Sequence, residues 1–282
     1  MKKVALITGA SSGIGRAASE LFLQNGWTVY AAARNETRLQ PLAALGAVTA
    51  ICDVCDDAQR RALFARIMSE AGRLDVLVNN AGYGEYGPIE CVTDENAKRQ
   101  MDVNVHALAQ MAALAAPVMR GQGSGRIVNV TSAGGRATTG FGGWYHASKY
   151  AAEALTDALR MELRPFGICV SAIEPGLVNT GWEKISAENL VKAGEGTVYE
   201  KTCRAAAGIL SGSVRFKGLT QPQTVAKKIY RAATAKHPRP RYLFGFGGKA
   251  LVVGKALLPT AWYDALMLKL YGSATQRFVE KT

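Results

Sequence analysis

The stretch that most limits what this chain can become lies at its start. Lys3 to Thr8 is a short, β-branched apolar run, Gly9-Ala10-Ser11-Ser12-Gly13-Ile14-Gly15 follows without a break, and a helical pattern runs from Arg16 to Asn25. Strand, glycine-rich turn and helix in that order is the context in which backbone N–H groups and a helix N-terminus hold a pyrophosphate. The glycines leave room for the ligand. The spacing is GxxxGxG rather than the commoner GxGxxG, so a simple tight turn is the competing reading and the surrounding pattern has to decide.

That pattern repeats. Trp27 to Ala33 reads as strand, Glu36 to Leu45 as helix, Val48 to Cys52 as strand and Asp57 to Ala71 as amphipathic helix, and Leu74 to Val78 is a strand running into Asn79-Asn80-Ala81-Gly82. Alternation at this spacing predicts an α/β chain with a doubly wound parallel sheet flanked by helices on both faces. After a loop from Tyr83 to Pro88, a long helix is expected from Thr93 to about Met119, with Asp94 and Glu95 in its first turn. Arg126 to Thr131 is the fifth strand, a helix opens at Tyr145 and ends near Pro165, and Ile168 to Ile173 is the next strand, closed by Glu174-Pro175-Gly176. From Leu177 to about Leu219 the periodicity loosens, and a mobile insertion over the site is expected. Helix resumes over Thr224 to Ala235, Arg241 to Phe244 suits a last strand, and the apolar tail from Gly248 to Tyr271 suits one or two helices packed on the body or on a twin subunit. A membrane-surface contact is the alternative for that tail. The expected organisation is one dehydrogenase-sized domain over 1–245, including a substrate-loop insertion at 177–219, with 246–282 a helical extension of the same domain.

The chemistry concentrates in Tyr145-His146-Ala147-Ser148-Lys149. On a helix the four-residue spacing puts Tyr145 and Lys149 on one face, a turn apart. A phenol with an ordinary pKa of about 10 is a poor acid at neutral pH, but a fixed ammonium nearby favours the phenolate and makes a usable proton shuttle. Ser132, leaving the fifth strand, is placed to donate to a substrate oxygen, although a lone loop serine is ordinarily a turn residue. Asn104, polar among apolar neighbours, is either a satisfied core amide or a water-holding group beside the reacting centre. Arg34 follows the second strand directly, where a dinucleotide fold meets the adenosine ribose. An acid there would take the 2'-hydroxyl, whereas Arg suits a 2'-phosphate, so NADP (NADPH) is favoured over NAD, with a plain surface charge as the alternative.

Composition excludes several classes. The 282 residues, 48% hydrophobic, suffice for one large core. No signal-like apolar stretch survives Gly9, Gly13 and Gly15, and lysines and Asp264 cut the tail below a membrane span, so a cytoplasmic protein is expected, membrane-associated only if the tail makes that contact. Cys52, Cys55, Cys91, Cys169 and Cys203 include a single CxxC with no second pair, so reduced, packed thiols and no metal are expected. The net charge of +12 sits in one segment: Lys201 through Tyr263 holds twelve Lys and Arg and no acid, while the rest carries 22 of each sign. Such a block is usually a solvated face but invites an anionic partner. It is too rich in apolar and Gly residues for a phosphate-tracking groove, so no nucleic acid is expected.

Taken together these residues resemble the short-chain dehydrogenase/reductase family over about the first 180 positions. Thr8 to Gly15 is similar to its cofactor-binding turn, through Gly9, Ser11, Ser12, Gly13, Ile14 and Gly15. Asp53, with Val54 beside it, matches the adenine contact, and Asn80, Ala81 and Gly82 with Asn79 match the sheet-stabilising motif. Asn104, Ser132, Tyr145 and Lys149 match the four catalytic positions, and Pro175-Gly176-Leu177-Val178-Asn179-Thr180 resembles the segment that closes over the nicotinamide. The resemblance implies a Rossmann-like sheet of about seven strands, a hydride exchanged between NADP(H) and a carbonyl or alcohol, and a homodimer or homotetramer paired through the helices from Thr93 and Tyr145. It implies that Lys149 also holds the nicotinamide ribose and that Asn104 steadies a water leading protons to it.

Beyond Thr180 the resemblance weakens. Tyr83, Phe141, Trp144, Trp182, Tyr199 and Phe216 are the candidates for a substrate pocket, and with no charged anchor among them an apolar lipid-, retinoid- or steroid-like ketone or alcohol fits best. The basic segment makes a 3-oxoacyl thioester on an anionic carrier the second reading. A non-catalytic NADP-binding sensor docking on anionic surfaces is the third, opposed by the filled catalytic positions.

Overall fold

The computed structural model describes residues 2–211 and 219–279, and the backbone alone from 270 onward. Phe216, Arg215 and Lys217 lie outside the described residues. Seven parallel strands form one sheet in the order β3-β2-β1-β4-β5-β6-β7: β1 Val4–Thr8, β2 Thr28–Ala33, β3 Val48–Ile51, β4 Val76–Asn79, β5 Gly125–Val130, β6 Ile168–Pro175 and β7 Arg241–Phe244. The expected doubly wound, Rossmann-like sheet is therefore present. Chain order reverses between β1 and β4, so the carboxyl ends Thr8 and Asn79 flank the crevice where ligands of open α/β sheets bind.

Helices cover both faces because alternate strand residues point to opposite sides. Ala5, Ile7, Val29, Val76 and Val78 pack with Phe22 of α1 (Gly13–Gln24) and with Val225 and Ile229 of α9 (Pro222–Thr234). Leu6, Tyr30, Leu77, Ile127 and Val170 face the other way, onto Phe64 and Ile67 of α3 (Asp57–Ala71) and Met111 and Met119 of α5 (Ala107–Gly121). The remaining helices are α2 (Glu36–Ala44), α4 (Asp94–Met101), α6 (Gly143–Leu163), α7 (Trp182–Gly194), α8 (Glu200–Leu210), α10 (Gly248–Leu257) and α11 (Thr260–Val279).

Two expectations need correction. The helix expected from Thr93 to Met119 is broken by a π-helical turn, Asp102–His106, that carries Asn104. The extra residue in that turn lets the Asn104 side chain bond outside the helix, and such bulges concentrate at functional positions. The described part of the loose stretch after Leu177, up to Ser211, holds two helices, α7 and α8, whose buried faces include Ser186, Ala187, Leu190 and Cys203, Ala205, Ala206, Ala207, while 212–218 lie outside the described residues. Small and polar residues on the inward face hide the periodicity that large apolar ones would show. Helix α6 also starts before Tyr145, at Gly143.

Candidate active site

Thr8 fastens the two strand ends at the switch point. Its Oγ1 accepts from Asn80 N and Ala81 N, both at 3.0 Å, and Asn80 Nδ2 donates back to Thr8 O at 3.0 Å and Gly9 O at 3.3 Å. The turn that follows needs glycine. Gly9 has φ +62°, and a Cβ on it would lie 2.9 Å from Ala81 Cα; Gly13 has φ +51°. Ser12 caps α1 without a side-chain bond, and the first turn of α1 has no acidic residue, so its leading N–H groups are left for a ligand. This cradle of Gly9, Ser11, Ser12, Gly13, Ile14 and Gly15 fits a dinucleotide pyrophosphate.

Arg34 is exposed directly after β2 and has no ion-pair partner among the described residues. Its field reaches Tyr83, where burial nevertheless pushes the phenol up to about 12. Asp53 shapes its own turn: Cys55 N donates to Asp53 Oδ1 at 3.0 Å, and Asp53 N donates to Gln59 Oε1 at 2.8 Å. Val54 beside it is buried, and its carbonyl accepts from Arg60 Nη1 at 2.7 Å.

Helix α6 is aimed by the sheet beneath it. Asn79 Nδ2 donates to Asn129 Oδ1 at 3.0 Å, and Asn129 Nδ2 donates to Thr156 Oγ1 at 2.9 Å. Ser132 Oγ, just after β5, accepts from Gly134 N at 3.0 Å and lies near enough the buried Tyr145 phenol to pull its pKa down. Lys149 Nζ donates to Val130 O at 3.1 Å and lies 6.0 Å from the Tyr145 ring centre, beside Gly82. Asn104 Nδ2 donates to Tyr83 O at 3.0 Å and to Ser148 Oγ at 2.9 Å, and its Oδ1 accepts from Tyr83 N at 3.1 Å. The Asn104 side chain thus clamps the 83 loop to α6 and is satisfied by protein groups. Asn104, Ser132 and the Tyr145–Lys149 turn, brought from three parts of the sequence, share one crevice.

The electrostatics overturn one expectation. The ammonium was expected to pull the Tyr145 pKa down, but burial pushes the phenol up to about 12, with only Ser132 opposing. Burial likewise lowers Lys149 to about 8, against the pull of Glu153. Desolvation outweighs attraction here because both groups are enclosed and the ammonium already has a carbonyl partner.

His146 and Tyr86 were given no role by the sequence, whereas Trp182, Phe141 and Tyr199 were among the pocket candidates. His146 is buried: its Nε2 accepts from Thr139 N at 3.1 Å, which leaves Nδ1–H to donate to Gly134 O at 2.9 Å and pins the loop between Ser132 and Tyr145. Its burial holds it neutral. Tyr86 lies against Tyr145 with ring centres 5.4 Å apart, and Trp182 lies 5.2 Å from the same ring. Phe141, Leu190, Tyr199 and Leu210 complete an apolar cluster at the sheet's carboxyl edge. Of the other aromatic candidates, Tyr83 points away, its hydroxyl 3.5 Å from Asn96 O, and Trp144 lies outside the cluster.

The segment after β6 closes the crevice. A Cβ on Gly13 would meet Thr180 Cγ2 at 3.2 Å, so the strap touches the pyrophosphate turn, and Val178 bridges to Thr220. Thr180 N donates to Glu183 Oε1 at 3.1 Å, and Trp182 N donates to Thr180 Oγ1 at 3.1 Å. This is capping-box chemistry, and the Thr180-x-x-Glu183 spacing is the signal that could have located the start of α7. Gly176 packs so closely on Phe246 that a Cβ would lie 2.2 Å from its carbonyl oxygen. Part of the basic block is absorbed internally: Arg241 pairs with Asp157 at 2.6 Å, Glu174 at 2.9 Å and Glu153 at 3.1 Å, and Arg204 pairs with Glu200 at 2.9 Å. All five cysteines are free, and no metal-holding group of His, Cys, Asp and Glu occurs among the described residues.

A doubly wound sheet with a glycine-rich turn at its switch point, and a tyrosine, serine and lysine across the crevice, defines the dinucleotide-dependent oxidoreductase class. The comparisons agree. The family model described as short chain dehydrogenase matches residues 3–190. A probable short-chain type dehydrogenase/reductase of Helicobacter pylori, VdlC, is 38% identical over 263 residues, 93% of this chain and 96% of that one. A 3-ketodihydrosphingosine reductase of Bacteroides thetaiotaomicron is 38% identical over 64% of this chain and 65% of its own. The crystal structure of a short-chain dehydrogenase from Streptomyces avermitilis superposes with a TM-score of 0.78 at 30% identity, covering 90% of this chain and 92% of that chain. The chain belongs to the short-chain dehydrogenase/reductase family.

Proposed function

We propose that the chain is an NADP(H)-dependent oxidoreductase that interconverts a ketone or aldehyde and an alcohol on an apolar substrate. The observation that carries this reading is the gathering of Tyr145, Ser132 and Lys149 beneath an aromatic enclosure of Tyr86, Phe141, Trp182 and Tyr199. Gly9 to Gly15 would hold the pyrophosphate, Asp53 and Val54 the adenine end, Arg34 the 2'-phosphate, and Asn80 to Gly82 with Pro175, Gly176, Val178 and Thr180 the nicotinamide end. The bound reduced nicotinamide supplies a hydride. Tyr145 gives its proton to the substrate oxygen while Ser132 donates a hydrogen bond to the same oxygen as it gains charge; in the oxidative direction Tyr145 is the base. A phenol held near 12 by burial is reluctant to give up its proton, and a positive charge brought beside it would favour the phenolate. Lys149, aimed by Val130, supplies such a charge when protonated and a donor for a ribose hydroxyl.

The apolar enclosure favours a lipid-, retinoid- or steroid-like substrate, and the relative acting on 3-ketodihydrosphingosine has a long-chain ketone in its name. A 3-oxoacyl thioester ranks second, because Arg204 and Arg241 of the basic block are engaged by acids of this chain. A cytoplasmic homodimer or homotetramer belongs to the same reading. Rates on free apolar ketones, on acyl-thioester ketones and on secondary alcohols, measured with both nicotinamide cofactors by absorbance, test it. Activity confined to thioesters would overturn the substrate class, and no turnover with any of them would favour a non-catalytic sensor.

A further inference from the structure

The C-terminal pair α10 and α11 has two unlike faces. Inward, a Cβ on Gly248 would lie 3.1 Å from Gly176 Cα and 3.4 Å from Ala133 Cβ, Val252 and Tyr263 are buried, and the Tyr263 hydroxyl donates to Thr138 O at 2.7 Å. The pair therefore rests on the strap and on the loop between Ser132 and Tyr145. Outward, Lys249, Val253 and Leu257 follow at four-residue intervals along α10, and Trp262 and Leu266 do so along α11. That spacing lays each set in one stripe. Val253 is 51% exposed, Leu257 77%, Trp262 69% and Leu266 45%. Single exposed apolar residues need no explanation, but two consecutive stripes on adjoining helices do.

Charge selects the occupant. Gly248 to Lys269 contains three lysines and one acid, Asp264. A second copy of the same face would set lysines against lysines, whereas an anionic lipid surface offers apolar depth to Leu257 and Leu266, an interface for Trp262 and headgroup charge for Lys249. No helix among the described residues is long and apolar enough to cross a membrane, so the contact is with a surface. We propose that the outer face of α10 and α11 docks on anionic lipid bilayers, holding the strap side of the crevice against the membrane from which an apolar substrate is drawn. Only that last purpose rests on the functional reading; the docking does not.

Co-sedimentation of the full chain with phosphatidylcholine vesicles, with and without phosphatidylglycerol, tests the docking. The chain is expected to pellet with the anionic vesicles alone and to be released as salt is raised. Leu257→Glu combined with Trp262→Glu should cut the bound fraction roughly tenfold, with turnover of a water-soluble ketone unchanged. Lys249→Glu, at an exposed helix position, should weaken binding even if the double variant fails to fold. A parent chain that stays in the supernatant with both vesicle types overturns the proposal. So does a double variant that binds as its parent does, or a parent dimer, seen by light scattering, that the double variant splits. Vesicle binding without turnover of any ketone would leave the docking standing and refute the catalytic reading.

Discussion

Lys149 and Val130 are joined by a hydrogen bond from the ammonium to the last carbonyl of β5, 3.1 Å long and buried. The sheet thus fixes the one cation of the crevice's Tyr-x-x-x-Lys turn, and burial lowers that cation to about 8.

The cost of this arrangement is measurable without cofactor. The unfolded chain binds a proton at Lys149 up to about 10.4, the folded chain only up to about 8, so between those values the unfolded state holds more protons and stability rises with pH. Lys149→Met should flatten that rise, stabilise the cofactor-free protein by ~1 to 3 kcal/mol at neutral pH and abolish turnover. Thermal melts of both proteins across the window check it; a destabilised variant would contradict the account.

Arg241 makes a second stability prediction. It spans Glu153, Asp157 and Glu174, of which Glu174 is fully buried and held up to about 7 by burial and by Glu153. Arg241→Ala takes the shared cation from the buried Glu153 and Glu174, leaving only Arg136 on Glu174, and should cost ~3 to 5 kcal/mol above about pH 7, less in acid as Glu174 protonates. Denaturant melts at two pH values separate this from a surface effect, which would cost little at either.

How much of this was legible in the sequence follows from what each residue touches. Strands β1, β2, β4 and β5 are buried on both faces, so their continuous apolar runs announced them, and the glycine turn announced the crevice. Helices α7 and α8 were hidden because alanine, serine and cysteine do the packing that leucine usually signals. The π-turn was hidden because nothing local breaks the helix; it is set by Asn104 bonding to Tyr83 and Ser148 across the fold. Tyr86 sits between glycines in a loop, and only the tertiary structure lays it on Tyr145. The four-residue spacing brought Tyr145 and Lys149 together correctly, but spacing carries no information on desolvation, which decides their pKa values.

The cofactor assignment rests on Arg34, exposed after β2 and without an ion-pair partner among the described residues. Arg34→Ala should raise the Michaelis constant for NADPH by roughly tenfold or more and leave that for NADH nearly unchanged, since only the 2'-phosphate loses a charge-assisted bond. Equal effects on both cofactors would contradict NADP preference.

On the proposed reading the Tyr145 phenol, beside Ser132, is the proton donor in carbonyl reduction. The most direct measurement is single-turnover reduction of a ketone by the Tyr145→Phe protein, alongside NADPH binding followed by fluorescence. Loss of the hydroxyl alone should slow the chemical step by ~10²-fold to 10⁴-fold while NADPH binds as before. Near-parental turnover by that variant, with cofactor bound, would contradict it.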